Sequence, residues 1–517
     1  MAELIVETLQ GSVRGELRGA VRVWKGIPYA APPLGALRFR PPAPPVAWQG
    51  ERDATAFGSV AAQSRDSRVA LMSGITEKVI SGEDCLVLNV FAPRDGAPDA
   101  GTGTGAWPVM VWIHGGAFIM GSGSTPLYSG IPFAEQGIVV VTINYRLGLP
   151  GLLYLGDVAP GGDRAEGNYG LLDQIAALAW VRDNIAAFGG DPGAVTVMGE
   201  SAGAISIAHL LAMPAARGLF HRAILESGAS ALSPSTRADA TRLTHAVLAQ
   251  LGIDPGTGTG TGTGTGAADA LAALPIDQLL AAQDHVTETL GITAYGPYID
   301  GVTVPGSPVE LVRAGSADGI PLLLGSNRDE WTFFELFLGD VTVEGFKPVL
   351  RQRLGAQIDA LLEVYRSARP DQSEARAWVD LIGDAVFGIP VVRLAEAQAG
   401  RGAPVFLYRF DWRSPAFGGR LGAAHALELP FVWNRLDLQL SQLLLGDQLP
   451  HAQGLATQIH LAWVSFIKTG DPNGGGLPAW PRYDAERRAT MLLDRASQVA
   501  DDPAGATRAA WPTSYDP

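Results

Sequence analysis

Short apolar segments recur along the chain, separated by longer segments with a helical pattern. Continuously apolar runs of this length are typical of strands buried on both faces, the usual condition of a parallel sheet. The predicted strands are residues 109–113, 138–143, 195–198, 222–226, 322–325 and 405–410. Helical patterns cover residues 170–184 and 202–212. Because strands and helices alternate, we predict an α/β fold with a large, mostly parallel central sheet flanked by helices.

The N-terminal segment follows a different pattern. Two strand-like stretches, ETLQGSVRGEL and VRVWKGIPYA, contain glycines at the positions where the chain would turn. They predict a small antiparallel meander. The Pro-rich residues 32–45 are expected to be irregular.

Two Gly/Thr tracts, residues 101–105 and 256–266, lack side chains that could build a core. We expect surface loops, the longer one poorly ordered. Neither tract carries the lysine of a phosphate-binding loop or joins a strand to a helix, so no phosphate site is expected there. The remaining sequence shows no clear boundary, and we predict a single domain over residues 1–517.

Composition excludes several classes of protein. The chain has 517 residues, of which 47% are hydrophobic and 17% charged, so it is not intrinsically disordered. Asp and Glu number 52 against 38 Lys and Arg, giving a net charge of −14, which argues against nucleic acid or an anionic membrane as partner. The apolar runs are also far shorter than the ~20 residues that span a bilayer.

The chain has one cysteine, Cys85, which excludes an intrachain disulfide and fits a reducing compartment. Its first residues, MAELIVETLQGSVRG, show no secretion signal. We therefore expect a soluble cytoplasmic protein, and a monomer.

A candidate nucleophile lies in VTVMGESAGAISIAHLLA, residues 195–212. A Gly-x-Ser-x-Gly sequence between a buried strand and a helix is the strained turn that raises a serine hydroxyl above the sheet. The glycines are needed because a Cβ at those positions would clash. The alternative is a solvated serine in a tight turn, but the flanking strand and helix favour Ser201 as nucleophile.

A serine nucleophile needs a base, and an acid that orients the base. On α/β-hydrolase sheets the chain order is Ser, acid, His. The histidines after Ser201 are His209, His221, His245, His285, His425, His451 and His460. His425 is favoured because its loop, GAAHALELPFV, follows what reads as the final strongly apolar strand. The others are interpreted as solvated or core-packed.

The candidate acids follow the segment PLLLGSN. Asp329 and Glu330 come directly after it, at the strand end where open α/β sheets place their sites. Asp300, in PYIDG, is a third candidate. Position alone does not separate Asp329 from Glu330.

The segment VMVWIHGGAFIMG predicts an oxyanion hole. A buried strand ends at His114, and the glycines that follow present backbone N–H groups with little side-chain bulk. The N–H of Ala202, next to the nucleophile, would add another donor for the developing alkoxide. The alternative is a structural turn after a core strand.

Together these strings resemble the type B carboxylesterase and cholinesterase family of α/β-hydrolases, and within it the bacterial para-nitrobenzyl esterases. The resemblance extends from about residue 5 to residue 485. Its matching stretches are GIPYAAPPLGALRFRPP, EDCLVLNVFAP, VWIHGGAF, NYRLG, GNYGLLDQIAALAWVRDNIAAFGGDPGAVTVMGESAGA, FHRAILESGAS, PYIDG, GSNRDE and HALELPFVW. The resemblance implies an α/β-hydrolase fold.

The resemblance also implies roles for individual residues. The implied triad is Ser201, Glu330 and His425, since the family uses the glutamate of its N-x-D-E motif. The implied oxyanion donors are Gly116, Ala117 and Ala202. Glu200 and Ser227 match a network that the family places behind the histidine, where a carboxylate would favour the imidazolium.

Departures from the family pattern narrow the expected function. The cysteine that would pair with Cys85 in secreted relatives is replaced by alanine near residues 61–63. Residues 61–85 contain no aromatic side chain that could bind a quaternary ammonium, so a choline-ester specialist is not expected. Gly291 and Thr293 stand where acetylcholinesterases narrow the acyl pocket with aromatics, which implies a wider pocket. Trp331 replaces the usual glycine after the acid.

The expected activity is therefore hydrolysis of small carboxylic esters with broad specificity, through an acyl-enzyme and without metal or cofactor. Two alternatives remain. A carbamate or amide hydrolase of the same family would share every residue above. A non-catalytic binding domain of cholinesterase type would usually lack the serine.

Overall fold

A computed structural model describes residues 4–64, 80–95, 105–158, 167–230, 236–255, 266–339, 341–370, 373–513 and 515. The chain forms two compact units, the first made of Met1–His221 and Ala231–Gly306, the second of Arg222–Ser230 and Ser307–Pro517. A single domain over residues 1–517 stays a prediction. Nearly all of the two Gly/Thr tracts, residues 101–104 and 256–265, lies outside the described residues.

The described residues of the first unit contain eleven strands: β1 (Ile5–Thr8), β2 (Gly11–Arg14), β3 (Glu16–Arg18), β4 (Val21–Pro28), β5 (Glu51–Asp53), β6 (Val60–Ala61), β7 (Ser81–Gly82), β8 (Val87–Pro93), β9 (Trp107–Ile113), β10 (Val139–Ile143) and β11 (Gly190–Glu200). Six of them form the main run of paired strands, in the order β11-β9-β10-β8-β4-β3. The pairs β11–β9 and β9–β10 are parallel, and the others are antiparallel.

Strands β8 and β10 are buried along their whole length, as expected for Val-rich strands of a sheet covered on both faces. Their polar residues, Asn89 and Thr142, hydrogen-bond to each other at 2.9 Å. The helices of this unit are Ile131–Glu135, Gly148–Leu152, Tyr169–Asn184, Ala202–Ala212, Arg237–Gln250, Ala267–Ala273 and Ile276–Leu290. Arg146 follows β10 along the chain and forms a buried ion pair with Asp173 at 2.7 Å. This ion pair ties the segment after β10 to helix Tyr169–Asn184.

The N-terminal prediction is confirmed in part. Strands β1 and β2 form a small antiparallel sheet, to which β5 adds a parallel edge. The second predicted stretch, VRVWKGIPYA, instead contributes β4 to the main run, antiparallel to β8. The Pro-rich residues 32–45 are irregular apart from a short 3₁₀ turn at Gly35–Leu37.

The second unit has five strands among its described residues. They are β12 (Arg222–Glu226), β13 (Leu322–Asn327), β14 (Val405–Phe410), β15 (Ala489–Leu493) and β16 (Gln498–Asp501), in the order β16-β15-β14-β13-β12. All neighbours pair in parallel except β15 and β16. The interpretation of residues 405–410 as the final strand is therefore wrong. Strand β15 is short and follows a long polar segment, which conceals it in the hydrophobic pattern.

The helices of the second unit are Pro308–Arg313, Thr332–Leu338, Val341–Leu354, Gln357–Ala368, Glu374–Gly383, Ile389–Ala399, Leu429–Val432, Gln439–Leu445, Leu449–Thr469 and Gly505–Ala510. A π-helical turn, Asp384–Gly388, joins two of them. Among the helices described in either unit, none combines the length and apolar character needed to cross a bilayer.

Candidate active site

The predicted nucleophile lies in a strained turn of the first unit. Strand β11 ends at Glu200, helix Ala202–Ala212 begins two residues later, and Ser201 between them has φ 55° and ψ −122°. A positive φ is costly for a residue with a Cβ and is concentrated at functional sites. The side chain is nearly enclosed, since Ser201 is 9% exposed.

The glycines of the Gly-x-Ser-x-Gly motif permit close backbone packing. A Cβ on Gly203 would lie 2.0 Å from the carbonyl oxygen of Ile113, the last residue of β9. A Cβ on Gly199 would lie 2.7 Å from the carbonyl carbon of Gly203. Helix Ala202–Ala212 can therefore start directly against the neighbouring strand only when both positions lack a side chain.

The Gly-rich segment after β9 passes directly beside this turn. A Cβ on Gly115 would lie 2.7 Å from Oε2 of Glu200 and 3.1 Å from Cβ of Ser201. The segment then turns sharply, with φ 113° at Gly116 and 51° at Ala117. The predicted oxyanion loop and the predicted nucleophile thus lie within van der Waals distance of each other.

The backbone N–H groups of Gly116, Ala117 and Ala202 are among those in this region that have no backbone acceptor among the described residues. Ala202 is buried, whereas Gly116 and Ala117 are half-buried. N–H donors beside a strained serine are what the predicted oxyanion hole requires. The carbonyl of Gly116, by contrast, accepts the N–H groups of Ile119 and Met120 at 3.1 and 3.0 Å, which fixes the loop.

His114, the residue directly after β9, does not have the properties of a base. Its ring stacks on Tyr145 with centroids 4.5 Å apart, and its Nδ1 lies 2.8 Å from the carbonyl oxygen of Gly115. Burial lowers the pKa of His114 to about 4, so the ring is neutral at physiological pH. Tyr145 donates its hydroxyl to the carbonyl of His114 at 2.7 Å. His114 therefore supports the loop.

In the second unit, the predicted acid and base form a buried pair. Nδ1 of His425 lies 2.7 Å from Oε2 of Glu330. The other carboxylate oxygen, Oε1, accepts the backbone N–H of Asn327 at 2.7 Å. The backbone N–H of His425 also donates to the carbonyl of Glu330, at 3.3 Å. With Nδ1 occupied by the carboxylate, the ring presents Nε2 as its proton-accepting nitrogen.

The other candidate acids have different partners. Asp329 lies 2.6 Å from Nη2 of Arg376 and 3.1 Å from Nη1 of Arg369, and it accepts the N–H of Ala423 at 3.0 Å. Burial raises the pKa of Asp329, but Arg376, the N–H of Ala423 and Arg369 outweigh it and hold the pKa below its usual range. At neutral pH this carboxylate is charged, and it anchors the loop that carries His425.

Asp300, the third candidate acid, lies in the first unit and caps its own turn. It accepts the N–H groups of Val302 and Val304 at 2.8 and 2.9 Å and the side-chain amide of Asn168 at 3.2 Å. Of the three candidates, Glu330 is the one whose carboxylate pairs with His425.

The other histidines behave as expected for solvated or core-packed rings. His209 and His460 are buried, each with Nδ1 2.8 Å from a backbone carbonyl oxygen, and burial lowers the pKa of His209 to about 4. Nδ1 of His221 accepts the N–H of Val195 at 3.2 Å. Three are exposed on helices: His245, His285 and His451.

Aromatic side chains surround the ring of His425. Phe387, from the π-helical turn, stacks on it with centroids 4.4 Å apart and an interplanar angle of 28°. Phe334 lies 5.1 Å from it. Trp331, 1% exposed, packs against Phe334 at 4.5 Å and Phe346 at 4.8 Å. Trp331, which stands where the family usually has glycine, is therefore the centre of the aromatic cluster that packs around His425.

Sequence reasoning did not identify Phe387, because a residue 38 positions before the histidine in a helical segment carries no recognisable signal. It also passed over Asn327 as a contributor. Besides holding Glu330, Asn327 donates its side-chain amide to the carbonyl of Ala424 at 2.6 Å and to the buried carboxylate of Glu428. The asparagine of N-x-D-E therefore joins the acid to the histidine loop.

The two residues predicted to lie behind the histidine fall in different units. Glu200, in the first unit, is 3% exposed and lies beside Gly115. The burial of Tyr145, together with the charge of Glu200, raises the pKa of that tyrosine. Ser227, in the second, is fully buried with φ 50° and donates its N–H to the carbonyl of Gly325 at 2.9 Å. Within the described residues, the hydroxyl of Ser227 has no hydrogen-bond partner.

The predicted acyl-pocket residues follow helix Ile276–Leu290 in the first unit. Gly291 is exposed, has φ 94°, and a Cβ there would meet no described atom within 4 Å. Thr293 is half-buried. Among the described residues, no group of three or more His, Cys, Asp or Glu side chains is placed to hold a metal ion.

The chain is similar to known proteins along almost its whole length. The model of the carboxylesterase family matches residues 2–511. The chain is 43% identical to the para-nitrobenzyl esterase of Bacillus subtilis (strain 168) over 97% of each chain. It is 35% identical to the phenmedipham hydrolase of Pseudarthrobacter oxydans, over 96% of this chain and 97% of that one. The crystal structure of a carboxylesterase from Geobacillus stearothermophilus has a TM-score of 0.85, with 41% identity over 98% of this chain and 100% of that one.

The chain therefore belongs to the carboxylesterase family. Its fold class is the predicted α/β-hydrolase fold, with a mostly parallel sheet, flanking helices and a small N-terminal antiparallel sheet. It is a carboxylic ester hydrolase, and the family supports a small-molecule ester as substrate.

Proposed function

We propose that the chain hydrolyses a broad range of small carboxylic esters through a Ser201–His425–Glu330 triad. The observation that carries this proposal is the buried pair of His425 and Glu330 at 2.7 Å, with both carboxylate oxygens held. The strained backbone of Ser201 gives independent support. The proposal treats residues 1–517 as one catalytic domain, since it draws on both units.

In the first step, Oγ of Ser201 attacks the ester carbonyl carbon while Nε2 of His425 takes the hydroxyl proton. The carbonyl oxygen becomes an oxyanion that accepts hydrogen bonds from the N–H groups of Gly116, Ala117 and Ala202. Each such donor contributes roughly 10²–10³ in rate. The tetrahedral intermediate collapses as the C–O bond breaks and His425 returns the proton to the leaving alkoxide, which departs as the alcohol.

In the second step, water repeats the sequence on the acyl-enzyme. His425 takes a proton from water, the hydroxide oxygen bonds to the acyl carbon, and the acid leaves as Oγ regains its proton. Glu330 keeps the proton of the neutral ring on Nδ1 and stabilises the imidazolium that forms in each half-reaction. Glu200 and Ser227 are proposed to stabilise the same imidazolium, in keeping with their burial. No step requires a metal or cofactor.

Covalent labelling tests the nucleophile. A fluorophosphonate probe is expected to modify the wild-type chain stoichiometrically, and mass spectrometry of peptides is expected to place the adduct on Ser201. Ser201→Ala should remove the label, whereas Ser206→Ala, a buried serine in the same helix, should keep it. Labelling that persists in Ser201→Ala, or a wild type that does not label, contradicts the proposal.

A substrate panel tests specificity. Open space at Gly291 and a small side chain at Thr293 support activity beyond acetate. On p-nitrophenyl esters from acetate to decanoate, kcat/KM should therefore not be confined to acetate. Thr293→Phe should lower kcat/KM for the longer acyl chains more than for acetate, with Thr293→Val as the control. Phenmedipham belongs in the panel because a 35% identical relative is named as its hydrolase.

The cellular location and the oligomeric state are further parts of the proposal. The one cysteine, Cys85, is buried and unpaired with any other cysteine, which supports a cytoplasmic protein. We also propose a monomer, with neither nucleic acid nor membrane as partner. Light scattering after size exclusion should give 54.2 kDa, the mass of one chain.

A further inference from the structure

A cavity of about 350 Å³ lies in the second unit. Neither Glu330 nor His425 lines it, although Asn327, whose N–H donates to Glu330, does. Its walls come from the ends of strands β13, β14 and β15, the π-helical turn, and helices Gln357–Ala368 and Ile389–Ala399. A cavity of this size falls within the range of small-molecule sites, roughly 300–1,000 Å³.

Its lining is rich in arginine. Five arginines stand against three aspartates: Arg328, Arg369, Arg409, Arg488 and Arg508. Arg409, Arg488 and Arg508 each donate hydrogen bonds from Nε and Nη2 to one carboxylate, at distances between 2.6 and 3.2 Å. Their Nη1 groups donate no hydrogen bond to the described residues. A guanidinium has five N–H donors, so the lining holds more donors than its own carboxylates use.

The three aspartates are already engaged. Asp380 pairs with Arg369 and Arg376, and Asp502 pairs with Arg508. Asp384 accepts the hydroxyl of Tyr365, and burial raises its pKa to about 6, so it is partly neutral near that pH. None of the three is a free acceptor for the surplus donors.

Two lining residues have polar groups with no partner in the described protein. Tyr483 is 4% exposed, yet its hydroxyl makes no hydrogen bond to any described residue. Leaving a hydroxyl both buried and unpaired is unfavourable, so a ligand oxygen is the natural partner. The side chain of Arg328 is exposed and forms no ion pair with the described residues. The lining also includes the apolar side chains of Ile389, Val391 and Leu407.

We propose that this cavity is a second ligand site, distinct from the ester site, for a small organic carboxylate with an apolar body. The carboxylate would accept hydrogen bonds from Arg328 and the hydroxyl of Tyr483, and the apolar body would lie against Ile389 and Leu407. The acid product of an ester hydrolase belongs to this chemical class. The site does not depend on the Ser201 mechanism.

Ligand-dependent thermal stability tests the site without turnover. The probe is sodium benzoate, and its control is benzamide, which has the same ring and shape but no charge, at matched ionic strength. The full chain carrying Ser201→Ala should gain about 1–3 °C in Tm at saturating benzoate, and little or nothing with benzamide.

Two variants locate the binding. Tyr483→Phe and Arg328→Gln remove groups that have no protein partner, so neither should unfold the chain. Each should raise the half-saturating benzoate concentration by about tenfold. Arg217→Gln, an exposed arginine of the first unit, should leave it unchanged. A Tm that responds equally to benzoate and benzamide, or a benzoate response unaltered in both cavity variants, overturns the proposal and leaves the esterase mechanism untouched.

Discussion

Nδ1 of His425 lies 2.7 Å from Oε2 of Glu330, while the carboxylate of the preceding residue, Asp329, is held by Arg376 and Arg369. Two adjacent acids on one loop thus have different roles. Glu330 is aimed at the histidine by the backbone of Asn327, and Asp329 is tied to a neighbouring helix and to the backbone of Ala423. Glu330 is therefore the acid of the proposed triad, and Asp329 is part of a structural ion pair.

The first prediction concerns these two acids. Glu330→Gln should lower kcat by about 10³–10⁴ with little change in Tm, because the amide favours the wrong tautomer of His425 and cannot stabilise its charged form. Asp329→Asn, the matched control, should keep kcat within a small factor. Steady-state kinetics on p-nitrophenyl butyrate check both variants. The reverse pattern would reassign the acid.

The second prediction concerns acid stability. Since the pKa of Asp329 is lower in the folded chain than in the unfolded one, its ionisation adds stability above the unfolded value of about 3.9. That contribution is lost as pH falls through the folded pKa. Asp329→Asn should cost about 1–3 kcal/mol at neutral pH, and the difference in unfolding free energy from wild type should shrink toward pH 3. Urea unfolding at several pH values measures it, and a constant difference contradicts the assignment.

The third prediction concerns the close packing at the nucleophile. Gly203→Ala would place a Cβ 2.0 Å from the carbonyl oxygen of Ile113, so helix Ala202–Ala212 must move and carry the N–H of Ala202 with it. We expect a loss of stability of about 1–3 kcal/mol and a fall in kcat of at least tenfold. Gly454→Ala, in an exposed helical position with open space around it, should be neutral or slightly stabilising. Equal behaviour of the two variants would count against the packing argument.

The fourth prediction concerns Trp331. Trp331→Gly restores the family's usual residue but removes the centre of the aromatic cluster, and should destabilise the chain by about 3–5 kcal/mol. Because Phe334 and Phe387 would then be less well held against His425, kcat should fall while KM changes little. Trp331→Phe should recover most of both losses. Thermal unfolding and kinetics at a temperature where every variant is folded separate the two effects.

Much of the fold could be predicted because parallel strands buried on both faces leave an unmistakable apolar pattern. The boundaries predicted for residues 222–226 and 405–410 agree with β12 and β14. Strand β4 was anticipated as a strand of the meander but not as part of the main run, because it alternates like an exposed strand. Strand β15 was not anticipated, because it is short. Strand pairing depends on contacts between segments far apart in the sequence, which local pattern does not report.

In the candidate site, too, some residues could be predicted from the sequence and others could not. Ser201 and the Gly-rich loop were predictable, since their chemistry requires small residues at fixed spacing. Position along the chain did not identify the partner of His425, because Asp329 and Glu330 are adjacent and only their surroundings distinguish them. The choice of Glu330 came from the family resemblance. The aromatic support of His425 was also hidden, since Phe387 reaches the ring through a π-helical turn.

Cys85 is 1% exposed, and burial raises the pKa of its thiol well above the usual range. A thiol that stays protonated and enclosed reacts slowly with alkylating reagents. A cysteine introduced on the surface would then be the sole fast-reacting thiol without removal of the native one. Fluorescent or spin labels could therefore be attached one at a time to an otherwise unaltered chain, for example beside the cavity of the second unit, to report ligand binding directly.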